Sequence, residues 1–275
     1  MDSFPIFIIN LDRSKDRWTR MQQALKAAGF QENSFQRFPA IEGKKLDPAY
    51  IKSILSPRAF FDLKKPRYEH RMFNNLGAIG CYLSHVMLAK KIVDENIPSA
   101  LILEDDGIPN KDALEKINNL NFPPDGDAFL LSAAFLPNGM IQSYDDQWYR
   151  LYNMFFGTQA YILTNAGARK IVENAFPIEV QVDAFIGMLS SLPDNYFRLY
   201  ALKNAESKSK APFRFGGVKS TVQGDRNIFE NPFIANHVKD FSPSRPWANV
   251  PMCVNVSLFI VILFLFAYLI ILKNY

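Results

Sequence analysis

Three consecutive carboxylates, Glu104-Asp105-Asp106, close the apolar run ALIL and are followed at once by Gly107, Ile108 and Pro109. Like charges a few Å apart repel, so a chain that places three of them at a strand end needs a compensating charge. One answer is a divalent cation. Glu104 and Asp106 stand at i and i+2, a spacing that lets both side chains point the same way from extended backbone. Hard oxygen donors of this kind suit Mg²⁺ or Mn²⁺, which commonly take one or two carboxylates together with substrate phosphates. The plainer answer is a solvated acidic turn, and the tripeptide alone does not separate the two.

The elements that would hold these residues read as an α/β pattern. Residues 6–11, IFIINL, form a continuous apolar run of strand length, suited to a strand buried on both faces. Asp12-Arg13-Ser14 opens a helical segment in which Met21, Leu25 and Ala28 recur at helical spacing, with Gly29 as its stop. Residues 35–40 give a second short strand, so the chain begins strand–helix–strand. Residues 42–72 are polar and proline-punctuated and read as a long excursion or flap. Residues 76–95 carry an apolar stripe of Ile79, Leu83, Val86, Ala89 and Val93 and read as a helix. Strands follow at 100–103, 129–134 and 155–163, and a helix at 165–174. In open sheets of this type ligands sit beyond the carboxyl ends of the strands, where the acidic triplet falls.

The composition sets outer limits. The chain has 275 residues, 48% hydrophobic and 21% charged, enough for a substantial core. A net charge of +4 is too small to argue for nucleic acid. Two cysteines, Cys81 and Cys253, without a CxxC motif speak against a structural zinc site or a disulfide scaffold. No Walker loop, G-x-G-x-x-G or H-E-x-x-H occurs. The start, MDSFPIFIINLD, does not read as a signal peptide. Residues 254–272, VNVSLFIVILFLFAYLIIL, are free of charge and would span roughly 28 Å as a helix, close to a bilayer core. The expected organisation is a single catalytic domain over 1–235, a proline-rich linker over 236–253, and a C-terminal membrane anchor over 254–272. Lys239 and Arg245 before the span, against Lys273 after it, favour a cytosolic catalytic side.

Several blocks, taken in order, resemble glycosyltransferase family 25, the lipopolysaccharide and collagen galactosyltransferases. They are IINLDRSKDRW with Asn10-Leu11-Asp12-Arg13 and Asp16-Arg17, GAIGCYLSH with Gly80-Cys81 and Ser84-His85, and LILEDD. GTQAYILTNAGARKI and Pro177 followed by Val182-Asp183 come later. The resemblance covers roughly residues 4–190 and implies a GT-A type nucleotide-diphosphosugar transferase fold. It implies that Glu104 and Asp106 bind Mn²⁺ or Mg²⁺, with Asp105 beside them, bridging the phosphates of a UDP-sugar. The reaction implied is transfer of galactose or glucose, with inversion, to a hydroxyl on a glycan, a lipid-linked sugar or hydroxylysine. Inversion calls for a base on the acceptor hydroxyl, and Asp183 is the candidate; it equally fits as a cap on a helix begun at Ala184. Asn10, Leu11, Arg13 and Arg17 become donor contacts in this reading, and Ser84 and His85 enter the site on a helix. Without it, the two arginines are solvated helix-face residues and Ser84-His85 a packing pair. Two rivals stand beside the transferase: a degenerate fold serving as a membrane adaptor, and a metal-dependent phosphoesterase.

Overall fold

The computed structural model describes residues 4–63, 75–135, 141–152 and 155–214. They belong to one compact unit within residues 1–227. The proposed linker, the 254–272 span and Cys253 lie outside the described residues, as does the stretch 64–74 of the expected excursion.

The chain opens with β1 (Ile6–Asn10), α1 (Lys15–Ala27) and β2 (Phe35–Pro39), the expected strand–helix–strand unit. Gly29 follows α1 with φ +93°, a left-handed backbone that lets the chain leave the helix. The 42–63 region departs from a structureless excursion. It holds a 3₁₀ turn at Gly43–Lys45 and two short helices, α2 (Pro48–Ile54) and α3 (Pro57–Asp62). Asp47 and Ser56 cap these helices, each followed by proline at the first helical position, which fixes φ where no N–H is needed.

After α4 (Leu76–Asp94) come β3 (Ser99–Glu104), β4 (Ile108–Pro109), α5 (Ala113–Asn118), β5 (Ala128–Phe135), β6 (Ile141–Ser143), β7 (Trp148–Leu151) and β8 (Phe155–Thr164). The described part ends with α6 (Asn165–Asn174), α7 (Val182–Ser190), β9 (Leu199–Leu202) and β10 (Phe213–Arg214). Among the described residues α4 alone is long and apolar enough to cross a membrane, and most of it is buried inside the fold.

The strands form a mixed eight-stranded sheet in the order β2-β1-β3-β8-β5-β9-β7-β6. β1 runs parallel to both β2 and β3, whereas β8 runs antiparallel to β3 and β5. β4 and β10 form a separate antiparallel pair just after the acidic triplet, with Phe213 opposite Pro109.

The pleat divides the core in two. Phe7, Ile9, Ala100 and Ile102 face one layer, which holds Ile79, Tyr82, Leu83 and Val86 of α4 and Ile171 of α6. Ile6, Ile8, Leu101 and Leu103 face the other, with Met21 and Leu25 of α1 and Ile117 of α5. Helices therefore cover both faces, as the fully buried β1 and the buried centre of β3, Ala100 to Leu103, require. Tyr161 and Phe155 are core residues.

Candidate active site

The parallel strands β1 and β3 end side by side, with Ile9 opposite Glu104. The chain turns immediately afterwards, the Gly107 N–H donating to the Glu104 carbonyl at 2.9 Å. A side chain at Gly107 would press against the backbone of β8, because its Cβ would lie 2.3 Å from the Gln159 carbonyl oxygen. The turn is thus held tight against the sheet, with the carboxylates at its rim.

A cleft opens there, enclosing about 750 Å³ including the solvent at its mouth. Leu11 and Arg13 of the β1–α1 turn, Ser84, His85 and Cys81 of α4, and all three carboxylates line it. The segment 40–44 forms a further wall, with Ile9 and Gly77 completing the lining. This segment lies directly on α4: a Cβ on Gly80 would meet the Ile41 carbonyl oxygen at 2.3 Å and the Gly43 nitrogen at 2.6 Å. Ser84 fastens the contact, since its Oγ accepts from the Ile41 N–H at 2.8 Å and donates to the Gly80 carbonyl at 2.6 Å.

The triplet is compensated unevenly. Alternation along β3 sends Glu104 toward the α4 layer, where its Oε1 accepts from Thr158 Oγ1 at 2.6 Å. His85 Nε2 stands 3.5 Å from the same oxygen, near enough for charge but long for a hydrogen bond. Burial would raise the Glu104 carboxyl; the imidazole and the Thr158 hydroxyl outweigh it and hold the group below its ordinary value. Asp105 and Asp106 instead face Arg17 of α1, at 2.7 and 3.3 Å. Burial still raises both, Asp105 against the pull of Arg17 and Asn10, and Asp106 to about 7 with the Glu104 charge adding to the shift. Within the protein, then, Asp105 and Asp106 share Arg17 as a partner, while Glu104 meets Thr158 and His85.

Each expected site residue can now be placed. Leu11, Arg13, Ser84, His85, Glu104, Asp105 and Asp106 share the cleft. Arg13 is largely exposed and paired with Glu42 at 2.8 Å. Asn10 and Arg17 do not line the cleft; both are buried beneath it. Asn10 Nδ2 donates to Asp105 Oδ2 at 2.7 Å and to the Ser14 carbonyl at 3.1 Å, so it fixes the carboxylate instead of presenting itself to a ligand. Asp183 also lies outside the lining residues. Its Oδ2 accepts from the Gly157 N–H at 3.1 Å and its Oδ1 from the Ala184 N–H at 2.8 Å, in the first turn of α7. The helix begins at Val182 with Gln181 at its N-cap, so Asp183 is not the cap of a helix begun at Ala184; it is an acidic residue of the first turn, where it complements the helix N-terminus.

Other members were not among the expected site residues. Arg37 of β2 donates to Asn10 Oδ1 at 2.8 Å and pairs with Asp12, bracing the β1 end. Its position in a strand gave no sign of this. Tyr161 bonds His85 Nδ1 at 2.9 Å. Cys81 stands one helical turn before His85, a spacing visible in the sequence.

A hard divalent cation fits this donor set. The donors are carboxylate oxygens, and Asp106 Oδ1 is buried without a hydrogen-bond partner. Arg17 shares the same carboxylates and would be the competing positive charge.

Residues 3–186 match the model of glycosyltransferase family 25, described as an LPS biosynthesis protein family. The chain belongs to glycosyltransferase family 25. The matched span takes in the acidic triplet, the Gly80–His85 block and Asp183. A Drosophila pseudoobscura pseudoobscura protein named glycosyltransferase 25 family member is 35% identical over 101 residues, 37% of this chain and 15% of that protein. Human procollagen galactosyltransferase 2 is 36% identical over 101 residues, again 37% of this chain and 15% of its own length. The chain thus spans about 15% of these family 25 relatives. Among solved structures, the apo form of mouse xyloside xylosyltransferase 1 aligns at TM-score 0.35 and 11% identity, covering 71% of this chain and 84% of that one. Mannose-1-phosphate geranyltransferase from Thermus thermophilus aligns at TM-score 0.36 and 9% identity, covering 74% of each.

Proposed function

We propose that this family 25 chain is a metal-dependent glycosyltransferase of GT-A type. It moves a hexose, galactose or glucose, from a UDP-sugar to an acceptor hydroxyl with inversion. The observation that carries the reading is the convergence of three carboxylates with Leu11, Arg13, Ser84 and His85 on one cleft beyond the ends of β1 and β3. Glu104 and Asp106 would hold Mn²⁺ or Mg²⁺. When bound, such a cation supplies Lewis-acid stabilisation of the charge that develops on the departing diphosphate.

The protein's own residues supply position. Asn10 and Arg17 hold Asp105 from below, and Thr158 and His85 hold Glu104. Leu11 and the 40–44 wall bound the space for the nucleotide, with Arg13 and Lys44 at hand for phosphate oxygens. Asp183 is the proposed base only on its place in the family blocks; its two oxygens already accept backbone N–H groups. The acceptor is a glycan, a lipid-linked sugar or hydroxylysine, and the 254–272 segment anchors the chain to a membrane with the catalytic side cytosolic.

A cation-free adaptor is the second reading, favoured by Arg17, which neutralises two carboxylates without a metal. A phosphoesterase would need more histidines converging on the triplet, and among the described residues His85 is the single one. The test is UDP release from UDP-galactose and UDP-glucose with and without Mn²⁺, alongside thermal shift. Mn²⁺-dependent release that Asp106→Ala abolishes supports the transferase. No release, and no Mn²⁺-dependent shift with either donor, leaves the adaptor.

A further inference from the structure

Cys81 and His85 lie one turn apart on the same side of α4, and β3 brings Glu104 against them. The Sγ, an imidazole nitrogen and a carboxylate oxygen fall within 4.8 Å of one another. Ligands of a tetrahedral Zn²⁺ sit roughly 3.5 Å apart, so about an ångström of side-chain adjustment closes the set. His85 is 2% exposed, yet its Nε2 has no hydrogen-bond partner and faces Glu104. Its other nitrogen is held by the Tyr161 hydroxyl at 2.9 Å. A hydrogen bond at one ring nitrogen, fixing the ring while the other is left to a metal, is the outer-shell arrangement of ligating histidines.

We propose that Cys81, His85 and Glu104 form a site for a thiophilic divalent cation, Zn²⁺ foremost, with a remaining coordination position open to the cleft. Thiolate and imidazole select such a metal over Mg²⁺ or Mn²⁺, which prefer the all-oxygen triplet beside it. Burial and, after it, the nearby carboxylates hold the Cys81 thiol above its usual range, so a cation bound here displaces the thiol proton to solvent. The inference does not rest on the transferase reading. The two share Glu104, so a Zn²⁺ bound here withdraws that carboxylate from the neighbouring triplet and opposes any function that depends on Mn²⁺.

The test uses the full chain carrying Cys253→Ser, whose one remaining thiol is Cys81, titrated with Co²⁺ as the spectroscopic stand-in for Zn²⁺. A near-ultraviolet thiolate-to-cobalt absorption is expected, saturating at one Co²⁺ per chain and displaced by Zn²⁺. Cys81→Ser, with Cys253 intact, loses it. Tyr161→Phe, which removes only the outer partner, weakens the affinity about tenfold or more. Asp106→Asn keeps the absorption while losing Mn²⁺-dependent UDP release, so failure of either proposal is seen separately. A Cys253→Ser chain without the band, or a Cys81→Ser chain that retains it, overturns the site. Should Cys81→Ser fail to fold, alkylation of the Cys253→Ser chain decides: Zn²⁺ shields the thiol if the site exists, and an unshielded thiol overturns it.

Discussion

Two neighbouring halves of one acidic tripeptide are neutralised in opposite ways. Glu104 turns to the α4 face of the sheet and meets a hydroxyl and an imidazole. Asp105 and Asp106 turn to the α1 face and meet a permanently charged guanidinium. The end of the strand makes the division: Glu104, the last residue of β3, follows the pleat to the α4 face, whereas Asp105 and Asp106 lie in the turn that follows, where alternation no longer applies. The consequence is a graded site: one carboxyl held below its ordinary value and two held above theirs, within three residues. The Glu104 half is adjustable, since neither of its partners, a hydroxyl and an imidazole, is a permanent charge. The other half is fixed by a charge that cannot leave.

The strongest way to break the contrast is to remove that fixed charge. Arg17→Met keeps the volume of a long side chain but leaves two partly buried carboxylates unpaired. Losing one partner of a buried ion pair costs about 3–5 kcal/mol, and urea unfolding without metal should show a loss of that size. Added Mn²⁺ should return part of it, by taking the place of the guanidinium. A loss under about 1 kcal/mol would mean that water, not Arg17, balances the aspartates.

Next comes Asp106→Asn. Burial and the Glu104 charge push this carboxyl up to about 7, so its charged form is costly in the fold. The amide should leave stability unchanged or raise it, while Mn²⁺-dependent UDP release falls by about 10²-fold or more. Stability and activity moving in opposite directions is the signature of a strained functional group. Gly80→Ala acts on the adjustable half. Its Cβ would collide with Ile41 and Gly43, so the 40–44 wall must shift. Overpacking of this kind costs about 1–3 kcal/mol, and a rise in KM for the donor larger than the fall in kcat is expected.

Much of this arrangement is legible in the amino-acid order alone. The uninterrupted run IFIINL suits a strand covered on both faces, and Ala100–Leu103 ends where the charges begin. The stripe from Ile79 to Ala89 places His85 on a helix of the core. Direction and partnership are what it does not show. Nothing local distinguishes β8, which runs antiparallel, from a parallel strand. Arg17 and Asp105 lie far apart along the chain, and only the folded sheet brings them together. The short strands β6, β7 and β9 gain their stability from neighbours, not from a periodic pattern of their own. The two helices at 48–62 are a different case: Asp47-Pro48 and Ser56-Pro57 are visible cap signals, outweighed by the polar composition around them.

Thr158→Val is the mildest test and the most discriminating. Valine matches threonine in shape, so packing of this buried position is kept while the 2.6 Å hydrogen bond to Glu104 is lost. A hydrogen bond to a charged group is worth about 1.5–3 kcal/mol, and His85 stays in place to offset part of the loss, so about 1–2 kcal/mol is expected. Combined with Arg17→Met, the costs should sum to less than the two singles. Glu104 and Asp106 repel one another, and protonation of either relieves both. Once one variant has driven that protonation, the second finds less charge left to destabilise. Strict additivity within about 0.5 kcal/mol would instead make the two halves independent sites, joined by the backbone and by nothing else.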